Sequence, residues 1–280
     1  MSCFTFDLAL LRLPGPSSVH GLREHDGPSP DFAALVEEHL AYAEALEEAG
    51  VTIFLLDPLD EHPDAIFVED PALVFPEGAI LLRPGTASRA GETDYLRSPL
   101  AEHFTSLLEL GNGHVEGGDV LVTPDLVLIG LSARTDRIGA EALQHLLAQL
   151  GRRSQVVAPP TGMLHLKTQA TLLDEETMLV TSAAEASGIF SRFRQIVTDP
   201  REANAANSLR INDRLIVSAQ HRRTNSRLAQ EGYDLLPVDT THIERLDAGL
   251  TCLSLRWAAR PRTHRSHKKI AANTLTPDIP

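Results

Sequence analysis

The chain of 280 residues predicts an α/β protein built of radial repeats and closed like a propeller. Three observations carry that expectation. Segments that read as strand, tight turn, strand recur five times, helical patterns lie between them, and equivalent positions recur about every 45 residues. The segments are VEDPALVFPEGAILLRPG (68–85), VEGGDVLVTPDLVLIGLS (115–132), LHLKTQATLLDEETMLVTS (164–182), NSLRINDRLIVSAQ (207–220) and the shorter GLTCLSLRW (249–257). In the first four, β-prone runs flank Pro76-Glu77-Gly78, Thr123-Pro124-Asp125, Asp174-Glu175-Glu176 and Asn212-Asp213, the residue types of hairpin turns. The fifth shows only its first strand clearly.

The helical stretches follow the same order. SPLAEHFTSLLELG (98–111) and DRIGAEALQHLLAQLG (136–151) place apolar residues at i, i+3, i+4 and i+7 and end in glycine. DFAALVEEHLAYAEALEEAG (31–50) does the same ahead of the first hairpin, while AAEASGIFSRFRQI (183–196) and TNSRLAQEGY (224–233) follow the third and fourth with weaker patterns. The unit is strand, strand, helix, strand. An open solenoid shares such a period, but the variable hairpins and the lack of a fixed repeat motif argue for a ring. No inter-domain linker is visible, so residues 1–256 read as a single domain and 257–280 as a flexible basic tail.

Composition narrows the function classes. Hydrophobic residues make up 42% and charged residues 22%, as in ordinary globular proteins, and no apolar run approaches a membrane span. The first residues, MSCFTFDLALLRLPG, lack the basic region and cleavage site of a signal peptide. The two cysteines, Cys3 and Cys252, exclude a disulfide framework and point to a reducing, cytoplasmic setting. The net charge of −13 is uneven: Arg260, Arg262, Arg265, Lys268 and Lys269 against Asp278 give residues 257–280 a charge of +4, leaving −17 on residues 1–256. An acidic body disfavours nucleic acid and favours cationic small molecules.

Reactive residue types open the repeats. The first has Glu69 and Asp70, the second Glu116 and Asp119, the third His165, the fourth Asn207 and the fifth Cys252. From Asp70 through Glu116, His165 and Asn207 to Cys252 the steps are 46, 49, 42 and 45 residues. In a ring, equivalent positions converge on the axis, so carboxylates, an imidazole and a thiol are expected to face one pocket. That set suits nucleophilic catalysis: the thiol needs activation, an imidazole exchanges protons near neutrality, and a carboxylate orients it. Taken singly, a cysteine is a small buried hydrophobe and a strand histidine is structural, so the shared position is what points further. Arg89 and Arg134 follow the first and second hairpins in RPGTASR and GLSART, and their equivalence suggests a clamp on a carboxylate, with surface salt bridging as the plainer reading.

Six stretches, DAIFVED (64–70), RPGTASR (83–89), EGGDVL (116–121), GLSART (130–135), LHLK (164–167) and DAGLTC (247–252), resemble dimethylarginine dimethylaminohydrolases of the guanidino-modifying superfamily, in family order and from about Leu13 to Leu255. The resemblance implies a five-bladed α/β propeller with pseudo-five-fold symmetry. It implies hydrolysis of methylated arginines to citrulline and methylamines through a covalent S-alkylthiouronium, with no cofactor and no metal. Cys252 would be the nucleophile, His165 the general acid/base and Glu116 its orienting carboxylate. Asp70, with Glu69, would hold the guanidinium. Asp64 would meet the α-amino group with the backbone around Leu22, Arg89 and Arg134 would bind the α-carboxylate, and Asp247 would line the pocket. GPSSVHGLREHDGPSP (15–30) has the composition of a mobile lid or of an ordinary loop. Cys3 has no matched role, and the tail after Trp257 has no counterpart. A relative acting on arginine or citrulline, or a binding protein without turnover, is the alternative; joint retention of Cys252, His165 and Glu116 speaks against the latter. The expected partner is a small molecule, neither nucleic acid nor membrane, and a homodimer is left open.

Overall fold

The computed structural model describes residues 3–24, 27–159 and 163–259. Residues 260–280, most of the predicted tail, lie outside them, as do His25 and Asp26 of the 15–30 segment. Five three-stranded sheets surround one axis. The first holds β3 (Ala72–Phe75), β4 (Gly78–Leu81) and β5 (Leu107–Glu109). The second holds β6 (Val120–Val122), β7 (Val127–Gly130) and β8 (Ser154–Val157). The third holds β9 (Ala170–Leu172), β10 (Thr177–Val180) and β11 (Arg194–Val197), and the fourth β12 (Leu209–Ile211), β13 (Arg214–Ser218) and β14 (Leu235–Val238). In each, the first strand runs antiparallel to the central one and the third parallel to it. A parallel return requires a crossover, and helices supply it: α2 (Asp94–His103), α3 (Arg137–Gln149), α4 (Ser182–Ser187) and α5 (Arg222–Gln230). The central strands β4, β7 and β10 are buried at every residue, which is why they read as unbroken apolar runs rather than alternations.

The fifth blade explains the fragment that showed one strand. Its central strand is β1 (Leu8–Arg12), with β2 (Thr52–Leu56) parallel to it and β15 (Leu255–Trp257) antiparallel, pairing Leu10 with Leu255 and Leu8 with Trp257. The helix expected ahead of the first hairpin, α1 (Phe32–Glu48), is this blade's crossover. Both ends of the described chain therefore meet in one sheet.

The core shows that the ring is closed. Five apolar clusters each span two neighbouring blades. One joins Leu73 and Ile80 to Val120, Ile129 and Leu143; the next joins Leu121 and Leu128 to Leu172 and Met178. A third joins Leu173 and Leu179 to Leu215 and Leu228; a fourth joins Leu209 and Ile216 to Ala9, Leu11 and Tyr42. The last joins Leu10, Leu255 and Trp257 back to Ala72, Leu81 and Leu96. A solenoid would leave two end faces without such a partner.

Two helical expectations shorten. The stretch 98–111 divides into α2, which starts earlier at Asp94 and stops before Phe104, and strand β5. Apolar Phe104, Leu107, Leu108 and Leu110 continue a helical phase, but pairing of Leu107–Glu109 along β4 satisfies more backbone than another helical turn at the sheet edge. The stretch 183–196 likewise stops at Gly188, left-handed at φ 72, and resumes as β11. Among the described residues no helix is long and apolar enough to cross a membrane.

Candidate active site

The reactive residues sit in the tight turns that lead into the inner strands rather than in the strands themselves. Glu116 precedes the one-turn 3-10 helix Gly117–Asp119, His165 precedes Leu166–Thr168, and Cys252 lies within Leu250–Leu253. Such turns tighten the chain around the axis and leave side chains free to converge. Cys252, His165, Glu116, Leu22, Asp64, Asp70, Arg89, Arg134 and Asp247 line one pocket.

Glu69 is the exception: it lines a different cavity. Its carboxylate turns to the opposite end of the axis, where Oε1 pairs with Lys167 Nζ at 2.7 Å and Arg256 Nη2 at 2.9 Å.

The imidazole and its carboxylate are in contact: His165 Nε2 lies 2.8 Å from Glu116 Oε2. The double glycine of EGGD makes room for this. A Cβ on Gly118 would sit 2.6 Å from His165 Nδ1, and one on Gly117 would sit 2.0 Å from the Glu69 carbonyl oxygen. Asp119, fully buried, accepts from the Leu166 N–H at 3.0 Å and from the Ser132 hydroxyl at 2.6 Å. It therefore ties the turn carrying His165 to the loop carrying Arg134. Asn207, the fourth-repeat residue, accepts from the Thr251 N–H at 3.0 Å and so braces the turn of the thiol.

Electrostatics set the resting protonation. Burial opposes a charged imidazole, but the Glu116 hydrogen bond and the charges of Asp70 and Asp119 outweigh it and raise His165 to about 9. Burial, helped by Asp70 and Glu69, pushes the Cys252 thiol up to about 12. At neutral pH the pocket holds an imidazolium and an un-ionised thiol. Asp70 is held below the usual carboxylate range: burial works against its charge, and Arg89 and His165 prevail. Asp64 is raised, chiefly by burial.

The two arginines are not equivalent. Arg89 is 3% exposed and spends its donors inside the protein: Nη1 to Asp70 at 2.6 Å, Nη2 to Glu92 at 2.7 Å, Nε to both Glu92 oxygens at 3.1 Å, and Nη2 to the carbonyls of Asp64 and Phe67 at 3.3 Å. These bonds commit Nε, Nη2 and one N–H of Nη1 to the protein, while Arg89 still lines the pocket. Arg134 gives Nη1 to the Thr86 hydroxyl at 2.7 Å, stands 3.7 Å from Glu116, and keeps an 18% exposed side chain. Glu92 escaped the sequence reading; its signal was its place three residues after Arg89, the reach of one turn.

Residues 22–24 of the 15–30 segment reach the pocket through their backbone. The Leu22 N–H donates to Asp64 at 2.9 Å and the Glu24 N–H to Asp247 at 2.6 Å. Asp247 adopts φ 53, a left-handed conformation that aspartate tolerates, and thereby aims at the loop. One donor atom each of Asp70, Glu116 and His165 falls within 4.8 Å of the others, a spacing a cation could use, but Arg89 and the Glu116–His165 bond already engage these groups.

The Arginine deiminase family model matches residues 33–203. The chain is 35% identical over 254 residues to the N(G),N(G)-dimethylarginine dimethylaminohydrolase of Pseudomonas aeruginosa, covering 90% of this chain and 100% of that protein. It is 34% identical to the enzyme of the same name from Streptomyces coelicolor, covering 89% and 96%. A solved mutant of the Pseudomonas aeruginosa protein complexed with citrulline superposes with a TM-score of 0.87 at 35% identity, over 90% of this chain and 100% of that one. With the ring, the convergent turns and these likenesses together, the chain belongs to the arginine deiminase family, in its dimethylarginine dimethylaminohydrolase branch.

Proposed function

We propose that this protein hydrolyses Nω-methylated arginines to citrulline and methylamines, with Cys252 as nucleophile. The observation that carries the reading is the pocket itself. A thiol, an imidazole bonded to a carboxylate, the carboxylates of Asp70 and Asp64 and the guanidinium of Arg134 line it together. A molecule that carries a guanidinium and an amino-acid group matches that set of charges.

The charges suggest how the thiol is activated. Free, it is held protonated by burial and by the carboxylates. A guanidinium seated at Asp70 neutralises that carboxylate and brings a positive charge beside the sulfur, so the thiol loses its proton to solvent on binding. The thiolate attacks the guanidinium carbon and forms the C–S bond. The tetrahedral adduct breaks its C–N bond, and the departing methylamine takes the proton of the His165 imidazolium. His165, now neutral, accepts a proton from water as the oxygen attacks the thiouronium carbon. Collapse breaks the C–S bond, releasing citrulline and restoring thiolate and imidazolium. Glu116 holds the imidazole in place through both steps.

Asp64, already bonded to the Leu22 N–H, suits the α-amino group, and Arg134 suits the α-carboxylate. The thiol nucleophile fits a reducing compartment such as the cytoplasm. The test is to incubate the pure protein with dimethylarginine, monomethylarginine, arginine and citrulline and to measure amine, ammonia and ureido product. Methylamines with citrulline from the first two are expected; ammonia from arginine as the faster reaction would overturn the substrate assignment.

A further inference from the structure

The axis has a second mouth. Behind the pocket of Cys252 lies a cavity of about 180 Å3 that the proposed reaction does not use. That is larger than a cavity of ~150 Å3 known to accept a benzene ring. Its walls are apolar, with Phe4, Leu73, Leu121, Leu209 and Trp257 among them. Its charged groups are four cations, Arg152, Lys167, Arg210 and Arg256, against the single carboxylate of Glu69. This concentration of positive charge stands out in a chain whose net charge is −13.

The polar groups are not all consumed by their neighbours. Arg256 is, since Nη1 donates to the carbonyls of Thr251 and Ser254 and Nη2 to Glu69. Arg152 is paired with Glu77. Lys167, however, uses one contact, to Glu69 Oε1, and an ammonium has three donors. Thr251 Oγ1, on a residue 7% exposed, is buried with no partner among the described residues. Buried polar atoms ordinarily find partners, so this end of the cavity is built for a polar group that the chain itself does not supply.

We propose that the rear cavity is a binding site for a small amphipathic monocarboxylate. Its carboxylate meets Lys167 and the Thr251 hydroxyl, and its aliphatic or aromatic body lies against Leu73, Leu121 and Leu209. The site is separate from the pocket of Cys252, yet its floor is formed by the residues next to the reactive ones: Glu69 precedes Asp70, and Thr251 precedes Cys252.

The probe is octanoate, with octylamine as the cationic control, titrated into the full-length 15N-labelled protein and followed by amide chemical shifts. Saturable shifts with octanoate are expected at residues 69–75, 120–123, 167–172 and 251–257, with none from octylamine at the same concentrations. Lys167→Met should weaken octanoate at least tenfold; Lys167→Gln, which keeps a polar tip, supplies a second charge variant should Lys167→Met fail to fold. Equal binding of octylamine, shifts confined to other surfaces, or unchanged octanoate affinity in the folded charge variants would overturn the proposal. None of these readouts uses turnover, so the result stands apart from the assignment of the reaction.

Discussion

The loops after the first two hairpins start from equivalent places in the repeat and end in different jobs. Arg89 is enclosed by Asp70, Glu92 and two carbonyls, a buried ion cluster that fixes the carboxylate proposed to hold the guanidinium. Arg134 reaches the same pocket with its side chain 18% exposed and a threonine hydroxyl as its close partner. Repeat symmetry brings like residues to the axis; the neighbours that each blade adds decide which becomes scaffold and which stays available. Glu92 of the first loop engages Arg89, whereas Arg134 of the second loop reaches across to the Thr86 hydroxyl of the first.

The comparison breaks first at Arg89. Arg89→Ala leaves Asp70 and Glu92 buried without their cation, a loss of about 3–5 kcal/mol in folding stability. Thermal melting should fall by roughly 10 °C, and turnover should drop with it. A melting temperature within two degrees of the parent would mean that the cluster is not scaffold. Arg134→Ala should leave the melt unchanged and weaken the amino-acid end, costing about 1.5–3 kcal/mol in kcat/KM, mostly through KM. If an analogue lacking the α-carboxylate lost as much as the full substrate, Arg134 would not be its partner.

His165 sharpens the contrast, because it shares Glu116 with Arg134. Its folded-state value of about 9 lies above the ordinary 6.5, so its stabilising contribution is complete below about pH 6.5 and is lost as pH rises through 9. Melting temperature should decline between these limits in the parent and less steeply in His165→Gln; parallel slopes would show that other groups set the dependence. Glu92 gives the smallest effect. Burial lifts it to about 7, so it favours the folded state most below the ordinary 4.5, and that contribution is lost as pH rises through 7. Glu92→Gln should flatten this segment of the stability profile while melting far closer to the parent than Arg89→Ala does.

The strand-turn-strand units and their period were legible because turn chemistry and burial are local. The convergence of Glu116, His165 and Cys252 followed from the period once the ring was closed. Three things were not legible. The fifth blade is split between the two ends, and no window of sequence contains β15 beside β1. The boundary inside 98–111 depends on β4, which offers Leu107–Glu109 a parallel partner that local periodicity does not see. The side that Glu69 faces and the partners of Arg89 depend on side-chain pairing with Lys167, Arg256 and Glu92, which no motif encodes.

The pairing of β15 with β1 also has a consequence for how the protein comes into being. Cys252 lies three residues before β15, and the strand it leads into must find a partner more than two hundred residues away along the chain. Blades one to four can form as translation proceeds, each from neighbouring sequence. The thiol cannot be placed until the last strand has emerged and docked on the first, the most distant contact of the ring and an expensive loop to close. A nascent chain can therefore hold four formed blades while the turn of Cys252 still awaits the docking of β15 on β1.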